Sequence, residues 1–196
     1  MGSSGDRIRE MHEDTLSADA SRGVRVLGVD GGLATFGWCV GLDLGAFLST
    51  NEERMRKTSR STDLRRRAHE LATRLDALMD EYNPDVVAME SLSHGHRSAT
   101  SAIVVGIGFG AVSVVLSRRQ TPVIEMTPQM VRKLLNVSGR AAKSEVWRAA
   151  DPQGALREQA ESLLKSEQPH ALDAMAVAAA ARRTEEWALI RAGAAR

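Results

Sequence analysis

Apolar and polar positions change period several times along the chain, and each change marks an element. Residues 1–22 (MGSSGDRIREMHEDTLSADASR) hold no sustained apolar pattern. They read as a flexible N-terminal arm with one short helical stretch around Arg7–His12. Residues 23–196 read as one domain. VRVLGVD is apolar, β-branched and ends on Asp30, which is a strand signature. The turn GGLATFG follows, then WCVGLDL and AFLST as two more strands. The charged stretch NEERMRKTSRST is a loop or strand edge. In TDLRRRAHELATRLDALMDEYN, Leu64, Ala68, Leu71, Leu75, Leu78 and Met79 recur at spacings of three and four. That predicts an amphipathic helix, capped by Thr62 or Asp63 and stopped by Asn83-Pro84. PDVVAMES is a fourth strand ending on Glu90, and LSHGHRSAT is a polar loop. SAIVVGIGFGAVSVVLS predicts a buried helix from about Ser98 to Arg118. TPVIEMTP is a fifth strand. TPQMVRKLLN is a helix with Thr127 as cap and Pro128 in first position. A further helix starts near Ser144, DPQGALREQAESLLKSEQ is irregular and then helical, and QPHALDAMAVAAAARR is a helix of small residues. Three antiparallel strands, then strands alternating with helices, make an α/β fold: a mixed five-stranded sheet flanked by helices.

Composition narrows the picture only a little. The 196 residues suffice for one sizeable core. A net charge of +1 neither marks nor excludes a nucleic-acid binder, because a local basic face matters more than the total. The single cysteine, Cys39, has no partner for an internal disulfide and reads as core filler. No apolar run reaches the roughly 18 residues of a membrane span without charge or glycine breaks. The N-terminus has no signal pattern, so no membrane partner is expected.

The chemistry lies at strand ends. Asp30 and Glu90 each end an apolar strand where a glycine- or serine-rich loop begins. Ligands of α/β sheets collect at such ends, and carboxylates suit Mg²⁺, a hard cation that prefers oxygen. His170 and Asp173, at i and i+3, share one face in the first turn of the small-residue helix. Each residue also has a plain reading. Asp30 suits a turn, Glu90 suits an arginine partner, His170 suits a helix-start surface, and Asp173 suits the helix dipole. Together they are four ligands from three segments. That is enough for two ions about 4 Å apart, which activate a water and stabilise the leaving oxygen of a phosphodiester.

The ordered set VLGVDGGLATFGWCV, PDVVAMES, AAKSEV and HALDAMAVA resembles the RuvC-type Holliday-junction resolvases, which have the RNase H-like fold. Asp30, Gly32 and Gly37 fit the opening D-x-G-x-x-x-x-G. Pro84, Asp85 and Glu90 fit the second acid's strand, and Gly106 and Gly110 fit the small-residue helix after it. Arg132 and Lys143 fit the two basic positions. His170 and Asp173 fit the final D/H-x-x-D, with Ala174, Met175, Ala176, Val177 and Ala178 behind it. The likeness spans about residues 24–183. It implies a homodimeric endodeoxyribonuclease of DNA recombination and repair that cuts four-way junctions with paired nicks, using Mg²⁺ or Mn²⁺, two ions per site. Carried over, Asp30, Glu90, His170 and Asp173 are the metal ligands, Lys143 contacts the scissile phosphate or its neighbour, and Arg132 contacts the backbone. The resemblance also implies a cytoplasmic or nucleoid location in a bacterium or phage, and an organellar one in a eukaryote.

The chain departs from the family in four ways. Gly31 replaces the proline of D-P-G. ESLSHGH offers Ser93, His94 and His96 where cellular members carry an aromatic that wedges at the junction. The N-terminal arm is extra, and the net charge is low. These departures predict a looser preference among branched DNAs. The other readings are an RNase H-like nuclease acting on wider branched DNA or structured RNA, and a junction-binding protein that does not cleave. GIGFG has no phosphate-binding lysine and sits inside an apolar helix, so it is no nucleotide loop. Gly106 and Gly110 would instead admit a second helix and could form the dimer seam. Arg97 and Arg140, in loops near the site segments, are the further candidates for DNA contact. Arg65, Arg66 and Arg67 read as a solvated helix face, and Trp38 and Trp147 as packing residues.

Overall fold

In the computed structural model, residues 24–48, 59–91 and 99–194 are described. The N-terminal arm, most of NEERMRKTSRST and the loop carrying His94, His96 and Arg97 lie outside them. Five strands form one sheet: β1 (Val26–Gly31), β2 (Thr35–Val40), β3 (Asp43–Leu48), β4 (Val86–Glu90) and β5 (Val123–Met126), in the order β3-β2-β1-β4-β5. The first three are antiparallel, and β4 and β5 run parallel to β1, so the sheet is mixed as expected. The helices are α1 (Arg60–Tyr82), α2 (Ala99–Arg119), α3 (Pro128–Leu134), α4 (Lys143–Ala150), α5 (Ala155–Ala160), α6 (Gln168–Ala181) and α7 (Glu185–Ala194).

Three boundaries differ from the sequence reading. β2 begins at Thr35, and WCVGLDL is split by Gly41, which takes a left-handed φ of 60°. Without a Cβ, glycine turns the chain there at little cost. The helix α1 is capped by Ser59, whose hydroxyl accepts the Thr62 amide, rather than by Thr62 or Asp63. Thr127 caps α3 and Pro128 leads it, as read.

Strand alternation sorts the two faces. Leu27 and Val29 of β1 and Val87 and Met89 of β4 face α1 and α2, packing with Phe36, Leu71, Leu75, Val112 and Leu116. Val26 and Val86 face the other way, into a core shared with α3, α4, α6 and α7. Gly28, Asp30, Ala88 and Glu90 share this second face by period. The small residues of α6 matter here. A Cβ on Gly28 would lie 2.2 Å from the Ala174 carbonyl oxygen, and one on Gly37 would lie 2.1 Å from that of His170. The helix therefore rests on two glycine windows in β1 and β2. Its own Ala171, Ala174, Ala178 and Ala180 are fully or almost fully buried.

On the opposite side α2 is less buried than its composition suggests. Gly108, Val112, Val115 and Leu116 are buried, but Ile103 and Val114 are more than half exposed. A helix outside a sheet layer can bury only one face. By length and composition alone α2 could cross a membrane; in the fold its inner face lies on the sheet and α1. The close approach to β1 is made by Gly108, whose added Cβ would lie 2.9 Å from the Gly31 carbonyl oxygen. Gly106 and Gly110 have open space around them.

Candidate active site

The period-two alternation and the parallel β1–β4 register deliver Asp30 and Glu90 to neighbouring positions at one end of the sheet. The glycine window at Gly37 brings the backbone of His170 down onto β2, so the first turn of α6 meets that end. His170 Nδ1 lies 2.5 Å from Asp30 Oδ2. With a carboxylate as acceptor the ring proton sits on Nδ1, which leaves Nε2 free. The hydrogen bond to Asp30 raises the His170 pKa above its usual value, against the opposing effect of burial.

Asp173, one turn further along α6, is held at both oxygens by one face of α4. The Trp147 indole Nε1 donates to Oδ1 at 2.8 Å, and the Lys143 ammonium pairs with Oδ2. Glu90 stands between these pairs. Loss of hydration raises its pKa to about 6, and the negative charges of Asp30 and Asp173 add to the rise, against Lys143 and Arg132. Part of the Glu90 side chain remains open to solvent along a cleft, which tempers the first effect. That cleft, about 160 Å³, has Glu90, Asp173, Lys143 and Arg132 beside Pro128, Val131, Val146 and Ala176. Arg132 donates through Nη1 to the Pro128 carbonyl at 3.2 Å, while its Nε is buried without a hydrogen-bond partner.

All four predicted ligands thus come to one place, as do Lys143 and Arg132. They do not form a ready chelate: among the described residues no three acids, histidines or cysteines are gathered closely enough to hold an ion as they stand. The reason is visible in the pairings, since His170 engages Asp30 while Lys143 and Trp147 engage Asp173. Arg140 is exposed in the turn before α4. Arg97 lies outside the described residues. Of the α1 arginines, Arg65 and Arg66 are exposed as read, with Arg66 paired to Asp63 and Glu70, but Arg67 is mostly buried and paired to Asp63. Trp38 packs across β3 onto Gly45 and against Tyr82. Trp147 is more than a packing residue, which the sequence reading missed. The available signal was its i+4 spacing from Lys143 on one helix.

The family model for crossover junction endodeoxyribonuclease RuvC matches residues 26–181, which take in every described element except α7. This chain belongs to the RuvC family. A curated relative, the crossover junction endodeoxyribonuclease RuvC of Thermomicrobium roseum, is 36% identical over 123 residues, 63% of this chain and 74% of the relative. A Thermus thermophilus RuvC structure superposes with a TM-score of 0.60 at 27% identity, covering 84% of this chain and 97% of that one. T. thermophilus RuvC in complex with a Holliday junction substrate gives 0.62 at 23% identity, over 84% and 96%. RuvC nucleases have an RNase H-like fold and are generally metal-dependent, and the mixed sheet here agrees with that fold. The chain is thus an endodeoxyribonuclease of the class that resolves Holliday junctions.

Proposed function

We propose that this chain resolves four-way DNA junctions by paired nicks, using Asp30, Glu90, His170 and Asp173 to hold two divalent ions, Mg²⁺ or Mn²⁺. The observation that carries the reading is the convergence of two strand-end acids and the helix-start His170–Asp173 pair on one face of the sheet. The donor set fits such ions. Three carboxylates are hard oxygen donors. Lost hydration first, and then the repulsion of Asp30 and Asp173, lift Glu90 to about 6, and a cation would relieve that repulsion. Ions held there would supply an activated water and neutralise the charge gathering on the phosphate and leaving oxygen. The chain's own residues do the rest. His170 orients Asp30 through Nδ1 and keeps Nε2 for a ligand or a proton. Lys143 is 61% exposed at its side chain, so it can leave Asp173 for a phosphate oxygen. Arg132 lines the cleft beside Glu90 and Lys143, and its positive charge would neutralise a neighbouring phosphate. Arg140, exposed before α4, would extend that basic track, and Arg97, outside the described residues, is the further candidate for DNA contact.

Branched DNA as partner is supported by the T. thermophilus RuvC caught with a Holliday junction substrate. A homodimer is supported by the α2 stripe of Ile103, Gly106, Gly110 and Val114, apolar and turned away from its own core. Two copies joined there would offer two sites for two strands. Bacterial relatives favour work on DNA in a bacterial cytoplasm or nucleoid. Wider branched-DNA activity is the second reading, favoured by the missing aromatic after Glu90.

The test is a nicking assay on four-way junction, duplex, flap and fork DNA in Mg²⁺ and in Mn²⁺. Asp30→Asn and Asp173→Asn should abolish nicking while junction binding in a gel shift persists. Wild-type rates in either variant would overturn the site. Cleavage of flaps and forks at junction rates would replace resolution with the second reading.

A further inference from the structure

We infer that Trp147 is a positioning residue for the site: its indole N–H commits one oxygen of Asp173 and leaves the other for a cation. The inference rests on the reading of Asp173 as a metal ligand. Lys143 and Trp147 are four apart on α4 and grip the same carboxylate from one side, one at each oxygen. The two contacts differ in kind. An indole N–H donates only, carries no formal charge and does not dissociate. The ring is half-buried and packs against both apolar clusters beneath the sheet, so Nε1 has little freedom to leave Oδ1. The lysine sits on a flexible, mostly exposed stem and can swing away from Oδ2. Asp173 therefore presents a fixed plane with one exchangeable oxygen.

Without the indole the carboxylate is free to rotate about its last torsion, and the Lys143 ammonium can reach both oxygens. Lysine would then compete with a divalent ion for the whole group. Outer hydrogen bonds of this sort hold ligating groups in orientation, and their loss typically weakens metal affinity by about 10–100-fold.

Two substitutions separate positioning from packing. Trp147→Phe keeps most of the apolar volume and removes the donor. Trp147→Gln gives up ring packing but places an amide N–H the same number of bonds from Cα as Nε1. The readout is Mn²⁺ binding to the full chain, followed by the electron-spin resonance of free Mn²⁺, with thermal melting alongside. Trp147→Phe should weaken Mn²⁺ about tenfold, and Trp147→Gln should stay within about threefold of the unaltered protein. Melting should order them the other way, with the Gln variant the less stable. Unchanged Mn²⁺ affinity in Trp147→Phe, or weaker affinity in Trp147→Gln than in Trp147→Phe, would overturn the inference and leave Asp173's role standing. Asp173→Asn is the separate arm: Mn²⁺ binding equal to that of the unaltered protein would remove Asp173 as a ligand, and the inference with it.

Discussion

Replacing Gly37 with alanine tests the mechanical link between the sheet and the catalytic turn. The added Cβ would lie 2.1 Å from the His170 carbonyl oxygen, 2.2 Å from its carbonyl carbon and 2.7 Å from the Ala171 nitrogen. All three are backbone atoms, so no side-chain rotation relieves the clash. Ordinary contact starts near 3.4 Å, so α6 must retreat from β2 by about 1.3 Å or the sheet must bow by as much. Overpacking of this kind costs about 1–3 kcal/mol. Alanine's advantage over glycine in an ordered strand, about 0.5–1 kcal/mol, offsets part of it. A net loss of about 1–2 kcal/mol is expected in urea unfolding. The rate should fall further than the stability, because the displaced residue is His170 and a misplacement near 1 Å can cost about 10² in rate. Nicking of a four-way junction is measured in saturating Mn²⁺, far below the melting temperature, so that unfolding does not contribute. Gly193→Ala on α7 is the control: its Cβ meets nothing within 4 Å, and it should leave the rate unchanged and stabilise α7 by up to about 1 kcal/mol. Gly37→Ala with unchanged stability and rate would refute the tight seat of α6. Lost stability with a full rate would refute its coupling to the catalytic turn.

The remaining predictions concern charge, metal and assembly. Glu90 and His170 must shed protons to hold a cation, and both pKa values are raised, that of Glu90 to about 6, so cleavage at limiting Mn²⁺ should climb as pH rises through about 6 and beyond; a flat profile would contradict this. Stability without divalent ions should move oppositely: the raised Glu90 contributes below its ordinary 4.5 and loses that contribution as pH rises through about 6, which urea titrations across pH 4–8 would reveal. Because imidazole nitrogen suits Mn²⁺ better than Mg²⁺, cleavage in Mn²⁺ should at least equal that in Mg²⁺. A strict Mg²⁺ preference would confine His170 to orienting Asp30. Gly110→Arg, placed where an added Cβ meets nothing within 4 Å, should leave the fold intact but yield monomers in sedimentation and unpaired nicks on junctions. Dimers with normal paired cutting would remove α2 as the seam.

Two kinds of information separate what the sequence revealed from what it hid. Local period put Asp30 and Glu90 at strand ends, because strand alternation needs no knowledge of distant residues; the parallel register that makes them neighbours joins strands far apart in the chain and was not legible. Local period also marked α6 as a helix that lies close to something, since alanine and valine leave little side chain between helix and sheet. It did not say what α6 lies on. Gly28 and Gly37 stand in strands, and their purpose shows only when Ala174 and His170 arrive from more than 130 residues away. The same limit applies to Trp147. Its hydrogen bond runs to a residue 26 positions later, so a lone tryptophan on a short helix looked like packing and nothing else. The glycine that seats α2 on the sheet, Gly108, was passed over for a related reason. A G-x-x-x-G spacing is conspicuous, yet the chain's own sheet uses the glycine between them, and the conspicuous pair is left facing outward. One helix thus divides its small residues between an inner face on the sheet and an outer face open to solvent. If Gly108 seats α2 on the active-site strand while Gly106 and Gly110 seat a second copy, the dimer contact and Asp30 are joined through a single helix. A variant that shifts the seam would then change cleavage without touching any residue of the site.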